Sequence, residues 1–446
     1  MNARILITGI ILLHIISISN AQEVKSFTLK EAQQYAIENN YDVRNASTDV
    51  EIARKRVKEN LAMGLPQVNA SAGYTNYLEL PTSIIPGDFI GTPGKDQEIQ
   101  FGTQHNATWN ASISQLLFSG QYIVALMATK AFVDLNETNY QKSEIEIKNI
   151  IAQSYYPVII LQENKKVFDS TMTSLNKMLY ETEEYYKAGF LEDTDVDQLK
   201  LLIADMQTTI TNIDNQLRIA YNMLKYQLGM KAGDEIEITD NLENLLAEVD
   251  KEILMNSSFN FNNHIDYKLL KNQEEMAYLQ MKLDQSQYYP TLSGFYQFQQ
   301  DAMRNDFNFF NNGKWYTNQM LGIQLEVPIW SSGQRKNKIQ QSKLEIEKLK
   351  VVDNQLQQGL TLKVSTVKSE FNNAYLIYLN RKMAVSNAER IYQKTEVKYR
   401  EGIANSLDLS QTYNQYLTNQ IEYLGSILDL LNKKSELEKE LTKVNY

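Results

Sequence analysis

The chain has 446 residues, enough for two or three ordinary domains, and a formal net charge of −10. That acidity argues against a nucleic-acid partner. There is no cysteine, which excludes disulfides, thiolate metal sites, a thiol nucleophile and a cysteine-borne lipid anchor.

Residues 1–21 read as a signal peptide. Arg4 supplies a basic start, Ile5 to Ile18 is apolar, and Ser19-Asn20-Ala21 fits a small-x-small cleavage site, so Gln22 is the expected mature N-terminus. The apolar stretch is shorter than the ~20 residues a spanning helix needs, and no later segment approaches that length. Any membrane contact of the mature chain must therefore use strands.

The mature chain divides into a first repeat (22–230), a connecting segment (231–261) and a second repeat (262–446). Phe27 to Asn40 predicts a short helix, with Thr28 and Glu31 as a capping box. A second helix, from about Asp42 to Met63, stops before Pro66. The period then changes to two. Val68, Ala70, Ala72 and Tyr74 alternate with polar residues in a strand at about 67–77. A loop rich in Pro and Gly spans Leu80 to Gly102. Ala107, Trp109, Ala111 and Ile113 mark a strand at about 106–118, long enough to cross an outer membrane at a tilt.

A long helix follows at about 120–188, with Ile147, Ile151, Tyr155 and Val158 on one stripe and Pro157 marking either a kink or a change in its packing. Gly189 ends it. Asp193 or Thr194 opens the next helix, which runs to Leu228-Gly229, and the connecting segment is less regular.

The pattern then recurs. A helix from about Asp266 to Gln287 ends at Pro290. Strands are expected at about 291–300 (Leu292, Gly294, Tyr296, Phe298) and 318–329 (Leu321, Ile323, Leu325, Val327, Ile329), with a loop from Gln300 to Thr317 between them. The second long helix covers about 333–401. Its apolar positions (Leu349, Val352, Leu356, Leu360, Val364, Val367, Phe371, Ala374 and Tyr378) fall three or four apart and form one narrow seam. At 1.5 Å per residue it is roughly 100 Å long, and a seam that long needs helical partners throughout. Gly402 ends it, and a last helix runs to the C-terminus.

Residues as well as periods repeat. Asp42, Ala53 and Pro66 match Asp266, Ala277 and Pro290 at constant offset. Ser119-Gly120-Gln121 matches Ser332-Gly333-Gln334. Tyr186-x-x-Gly189 with Asp195 matches Tyr399-x-x-Gly402 with Asp408. One unit, helix–strand–strand–long helix–turn–helix, is thus present twice. The fold class is mainly α with a small transmembrane β part.

Four strands cannot seal themselves in lipid, because open edges leave backbone groups unpaired and the smallest membrane barrels use about eight. Several copies must share one barrel; periodicity leaves two, three or four open. The polar faces then line a lumen, and Tyr74, Tyr77, Trp109 and Tyr296 are candidate interface aromatics. Enzyme chemistry has no residues to stand on. His14, His105 and His264 form no metal constellation, Gly91 to Asp96 lacks the spacing of a phosphate loop, and no cofactor is expected.

The ordered set of features resembles the TolC family of outer-membrane efflux proteins over essentially all of the mature chain. The resemblance rests on the duplication, the Leu65-Pro66 and Tyr289-Pro290 helix ends, and the strand-to-helix junctions at Leu117-Phe118-Ser119-Gly120 and Ile329-Trp330-Ser331-Ser332-Gly333. The two Tyr-x-x-Gly-x5-Asp turns complete it. It implies a homotrimer in the outer membrane of a Gram-negative bacterium, with a 12-stranded barrel continued by a periplasmic helical tunnel. Such a duct passively conducts small toxic compounds (drugs, dyes, metal ions) delivered by an inner-membrane transporter. A periplasmic adaptor docks on the helical tips, which correspond here to Gly189, Phe190, Gly402 and Ile403.

The family's acidic periplasmic aperture maps to Asp408, while its second acidic position is Gln411 and a basic latch position is Ala404. Those departures weaken a charge-based latch. Asp408 fits equally well as a first-turn helix carboxylate. A type I secretion duct is the alternative function. A structural periplasmic coiled coil would explain the seam but not the four matched strands.

Overall fold

The computed structural model describes residues 24–444 apart from Ile90, Thr92 and Asn312, so the expected signal peptide and Gln22 lie outside the described residues. The chain forms two compact units. One takes residues up to Arg44, Ser143–Phe259 and Lys363–Thr442. The other takes Asn45–Lys142, Asn260–Leu362 and the C-terminal residues.

The first unit is helical. Strand β1 (Lys25–Phe27) leads into α1 (Leu29–Asn39), where Thr28 and Glu31 form the expected capping box: the Thr28 N–H donates to Glu31 Oε2 at 2.8 Å. Helix α2 (Tyr41–Met63) begins here. The later parts of α3 (Gly120–Lys187) and α8 (Gln334–Arg400) join α4 (Asp193–Gln227) and α9 (Ser406–Leu441). These four contribute one core: Phe168 and Leu175 from α3, Leu199 and Met206 from α4, Tyr392 and Tyr399 from α8, Leu409 and Tyr413 from α9. Each fully buried large side chain stabilises by about 1.5–3 kcal/mol before entropy is counted. Burial pushes the Tyr392 and Tyr413 phenols well up, so both stay neutral in the core.

The α8 seam is buried from Leu360 to Ala374; at Val367, Phe371 and Ala374 it packs with α9 and with residues of the short helices α5 (Leu242–Ala247) and α6 (Lys251–Asn256). Leu349 and Leu356 are only half-buried and Val352 is exposed. Pro157 does not interrupt α3.

The second unit holds a four-stranded antiparallel sheet in the order β2-β5-β7-β8. Its strands are β2 (Gln67–Asn76), β5 (His105–Ser119), β7 (Thr291–Arg304) and β8 (Tyr316–Glu326). The remainder of α2, the first part of α3, helix α7 (Ile265–Ser286) and the first part of α8 complete this unit.

Several expectations are corrected. The loop expected from Leu80 to Gly102 contains a hairpin, β3 (Thr82–Ile85) with β4 (Gln97–Gln100). Four-residue strands around two turn glycines are too short to show a period. The irregular 231–261 segment holds β6 (Ile236–Ile238), which pairs in parallel with β1, besides α5 and α6. Phe27 lies in β1 and not in the first helix. The third barrel strand continues to Arg304, beyond residue 300. The fourth ends at Glu326, leaving Val327 and Ile329 outside, because Pro328 has no N–H to give a ladder.

Candidate functional site

The sheet sorts its residues by face. Direct cross-strand partners share a face and successive residues alternate. Asn110 pairs with Ser71 and Gln299, and Thr108 pairs with Gly73 and Asp301. Gln299 in turn pairs with Asn318. This polar face is knitted by side chains: Thr108 Oγ1 donates to Asp301 Oδ1 at 2.6 Å, and Gln299 Nε2 donates to the same carboxylate at 2.9 and 3.0 Å. The opposite face carries Val68, Ala70, Ala72, Ala107, Ala111, Ile113, Phe298, Leu321, Ile323 and Leu325. Leu321, Ile323 and Leu325 are 85%, 73% and 61% exposed in the single chain, so the β8 part of this apolar face has no protein cover. Strands β2 and β8 are the two edges of the sheet, and every residue of β2 is exposed.

The four expected interface aromatics lie at different points along the sheet. Tyr74 lies near the end of β2, where its hydroxyl meets His105 Nδ1 at 2.9 Å and its ring packs on Phe307 and Phe309. Tyr77 lies just past the same strand, held by its N–H to the Gln104 carbonyl. Trp109 and Tyr296 sit within their strands on the apolar face; Trp109 packs against Phe298 and Tyr296 donates to Gln319. Sequence reading missed Phe307 and Phe309, because their loop has no period to place them. Trp330, in the second strand-to-helix junction, is exposed just beyond β8.

Each barrel strand that feeds a long helix does so through a tight junction. Before α8, Ser332 and Gly333 take φ values of 49° and 86°. The buried Arg335 guanidinium donates to the Pro328 carbonyl at 2.8 Å and lies 4.8 Å over the Tyr288 ring. Before α3, the Tyr122 hydroxyl donates to the Leu61 carbonyl at 3.1 Å, and the ring lies where a side chain on Gly64 would stand. Neither Arg335 nor Tyr122 was singled out from sequence, since each looks like an ordinary first-turn residue.

In the helical unit the two Tyr-x-x-Gly turns have one backbone solution. Gly189 (φ 81°) and Gly402 (φ 72°) each follow a helix end in the left-handed conformation. The Gly189 N–H donates to the Tyr186 carbonyl and that of Phe190 to Tyr185; the Gly402 N–H donates to Tyr399 and that of Ile403 to Lys398. This is the Schellman arrangement, and it explains why the motif needs glycine. It leaves Phe190 77% and Ile403 71% exposed, two large apolar side chains at the helix ends. Between α3 and α8 here, Tyr399 and Thr182 share a hydrogen bond of 3.1 Å beside a cavity of about 360 Å³.

Asp408 is the third residue of α9 in a capping box: its N–H donates to Asn405 Oδ1 at 2.8 Å, and its carboxylate accepts from the Asn405 N–H at 3.3 Å. Its side chain and that of Gln411 are exposed, and Ala404 is half-buried. The carboxylate therefore caps a helix and faces solvent at once. Among the described residues no helix is long and apolar enough to cross a membrane, and no group of potential ligands could hold a metal ion.

Comparison with solved structures places this fold among outer-membrane channels. CusC superposes with a TM-score of 0.69 at 16% identity, over 93% of this chain and 92% of that one. VceC of Vibrio cholerae gives 0.65 at 16% identity, over 93% and 96%. The open state of the MtrE channel of Neisseria gonorrhoeae gives 0.68 at 14% identity, over 93% and 88%. No curated protein matches the chain by sequence. Residues 32–230 and 271–441 match the family described as outer membrane efflux protein. With most of its length matched in this way, the chain belongs to the outer membrane efflux protein family.

Proposed function

We propose that this protein is the outer-membrane exit duct of a tripartite efflux pump, working as a homotrimer without chemistry of its own. The observation that carries this reading is the four-stranded sheet with one bare apolar face, one polar face and two open edges. In hydrocarbon, the unpaired N–H and C=O groups of β2 and β8 would each cost several kcal/mol. An even strand count places β8 of one copy antiparallel to β2 of the next, so identical copies can close a ring. Two copies supply the minimum of about eight strands; three give the twelve that the family resemblance implies. The polar face then lines the lumen and the apolar face meets lipid.

The helical unit is the periplasmic tunnel in this reading. The exposed Phe190 and Ile403 beside Gly189 and Gly402 suit docking of a periplasmic adaptor, which couples the duct to an inner-membrane transporter. Asp408 repeated around the axis narrows the entrance, with Gln411 replacing a second charge. Drugs, dyes and metal ions are the cargo class.

The test joins assembly to conduction. Detergent-purified protein is expected to have the mass of three chains, to fractionate with the outer membrane and to conduct in planar bilayers. A stable soluble monomer ends the reading. Asp408→Ala is expected to raise conductance, whereas Asp195→Ala, at the matching turn, leaves it unchanged. Deleting the gene is expected to sensitise cells to toxic compounds; a depleted secretome with unchanged sensitivity would instead indicate a type I secretion duct.

A further inference from the structure

The four barrel strands contain two carboxylates and one arginine, and the sheet separates them completely. Asp301 pairs directly with Thr108 and with Tyr316, and Glu326 pairs with Thr291, which places both carboxylates on the polar face. Arg304 pairs with His105, on the opposite face. There it is tied down: its guanidinium donates to the Asn308 backbone carbonyl, donates to Asn308 Oδ1 at 2.8 Å, and lies 5.1 Å over the Phe309 ring. No lysine occurs in any of the four strands. Every formal charge on the polar face is thus negative.

The two carboxylates also sit at opposite ends. Asp301 is three residues from the end of β7 and faces the first residue of β8; Glu326 is the last residue of β8 and faces the first of β7. Between them on β7 and β8 the face carries Ser293, Gln297, Gln299, Asn318 and Gln324, interrupted by Phe295, Met320 and Gly322. Asp301 is oriented by donors on two strands, Thr108 and Gln299. In a narrow polar channel, fixed charges of one sign set which ions enter.

We infer that the barrel is itself a charge filter that favours cations over anions, with Asp301 and Glu326 as its two selectivity determinants, separate from Asp408 in the helical unit. The inference rests on the reading of the polar face as a lumen. Assembly repeats each carboxylate once per copy, so Asp301 and Glu326 form two like-charged rings with no basic residue on the strands to offset them. Cationic cargo is admitted through this segment and anionic cargo is disfavoured.

Reversal potentials in planar bilayers under a KCl gradient test it. Wild-type channels are expected to prefer K⁺, and Asp301→Asn, which keeps the shape and can still accept from Thr108, is expected to lower the K⁺/Cl⁻ permeability ratio by about twofold. Adding Glu326→Gln lowers it further, and Ser112→Lys, which puts a cation on the same face, moves it toward anions. The absence of a cysteine allows a second readout that does not depend on Asp301 variants folding. At Asn110→Cys, a cationic thiol reagent is expected to react faster than an anionic one of the same size, an advantage lost with Asp301→Asn. Channels that form but keep their permeability ratio in Asp301→Asn/Glu326→Gln, or lose it only in Asp408→Asn, overturn the inference while leaving the duct reading intact. Wild-type protein that forms no channels overturns both.

Discussion

The two strand-to-helix junctions solve one problem with exchanged chemistry. In the first repeat Gly64 leaves a space and the ring of Tyr122 fills it; in the second the aromatic ring belongs to Tyr288, at the position equivalent to Gly64, and Arg335, equivalent to Tyr122, lies over it. Both first-turn residues donate a hydrogen bond to a backbone carbonyl, Tyr122 to Leu61 in the last turn of α2 and Arg335 to Pro328 just past β8. What the duplication conserves is therefore a flat group stacked at the corner together with one donor. The residue that supplies the ring has changed sides. Repeats read by identity alone would miss this equivalence, whereas repeats read by contact reveal it.

The sharpest way to break the comparison is Arg335→Ala. It removes a charge-assisted hydrogen bond and a cation–π contact from a buried site, and is expected to cost about 3 kcal/mol, seen as a large drop in the thermal unfolding temperature of detergent-purified protein. Gly64→Val comes next. Its added side chain collides with the Tyr122 ring and hydroxyl, an overpacking of about 2 kcal/mol. Tyr122→Phe keeps the ring and loses only the donor, for about 1 kcal/mol.

The double variant Gly64→Tyr/Tyr122→Arg rebuilds the second junction inside the first. It is expected to unfold within about 1 kcal/mol of wild type, well above the sum of its single changes. Additive losses in that cycle would show that the corners are not interchangeable.

A second contrast, between the helical core and the sheet, shows what a single chain completes alone. Phe168, Phe371, Leu430 and Leu437 are fully buried within their own unit, while Ala302 is the one buried apolar residue in the four barrel strands. Helices α3, α4, α8 and α9 cover one another's seams. Apart from Ala302 the sheet has no such cover, and most of its apolar face stays bare until lipid supplies it. A charge there is expected to abolish membrane assembly: Ile323→Lys costs about 2–4 kcal/mol at mid-bilayer depth, read as loss of the protein from the outer-membrane fraction.

Much of the fold was legible because period is a local property. Alternation at Val68 to Tyr74, Ala107 to Ile113, Leu292 to Phe298 and Leu321 to Leu325 identified the four long strands, and the three-and-four spacing from Leu349 to Tyr378 identified the α8 seam, of which Leu360 to Ala374 is buried. Glycine at 189 and 402 marked helix ends, since only glycine takes the left-handed conformation there without strain. Boundaries were less legible. The β3–β4 hairpin is too short to carry a period, and β7 runs on through Asp301 to Arg304, where the residues look like loop. The candidate site was visible only as composition. Asp408 could be noticed for its place in the repeated turn, but not as a residue that both caps α9 and stays exposed.

The sequence by itself determined the order of the long helices and the four long strands, the repeated pattern, the two faces of each strand and the expectation of a shared sheet, all of which follow from spacing along one chain. Only the tertiary structure decided the register of β5 on β7. That register puts Asp301 against Thr108 and sends Arg304 to the other side. It likewise decided that Arg335 reaches Pro328 and that the space over Gly64 belongs to Tyr122. Those contacts join residues far apart in the chain, and such pairings depend on how strands and helices meet, which no local period records.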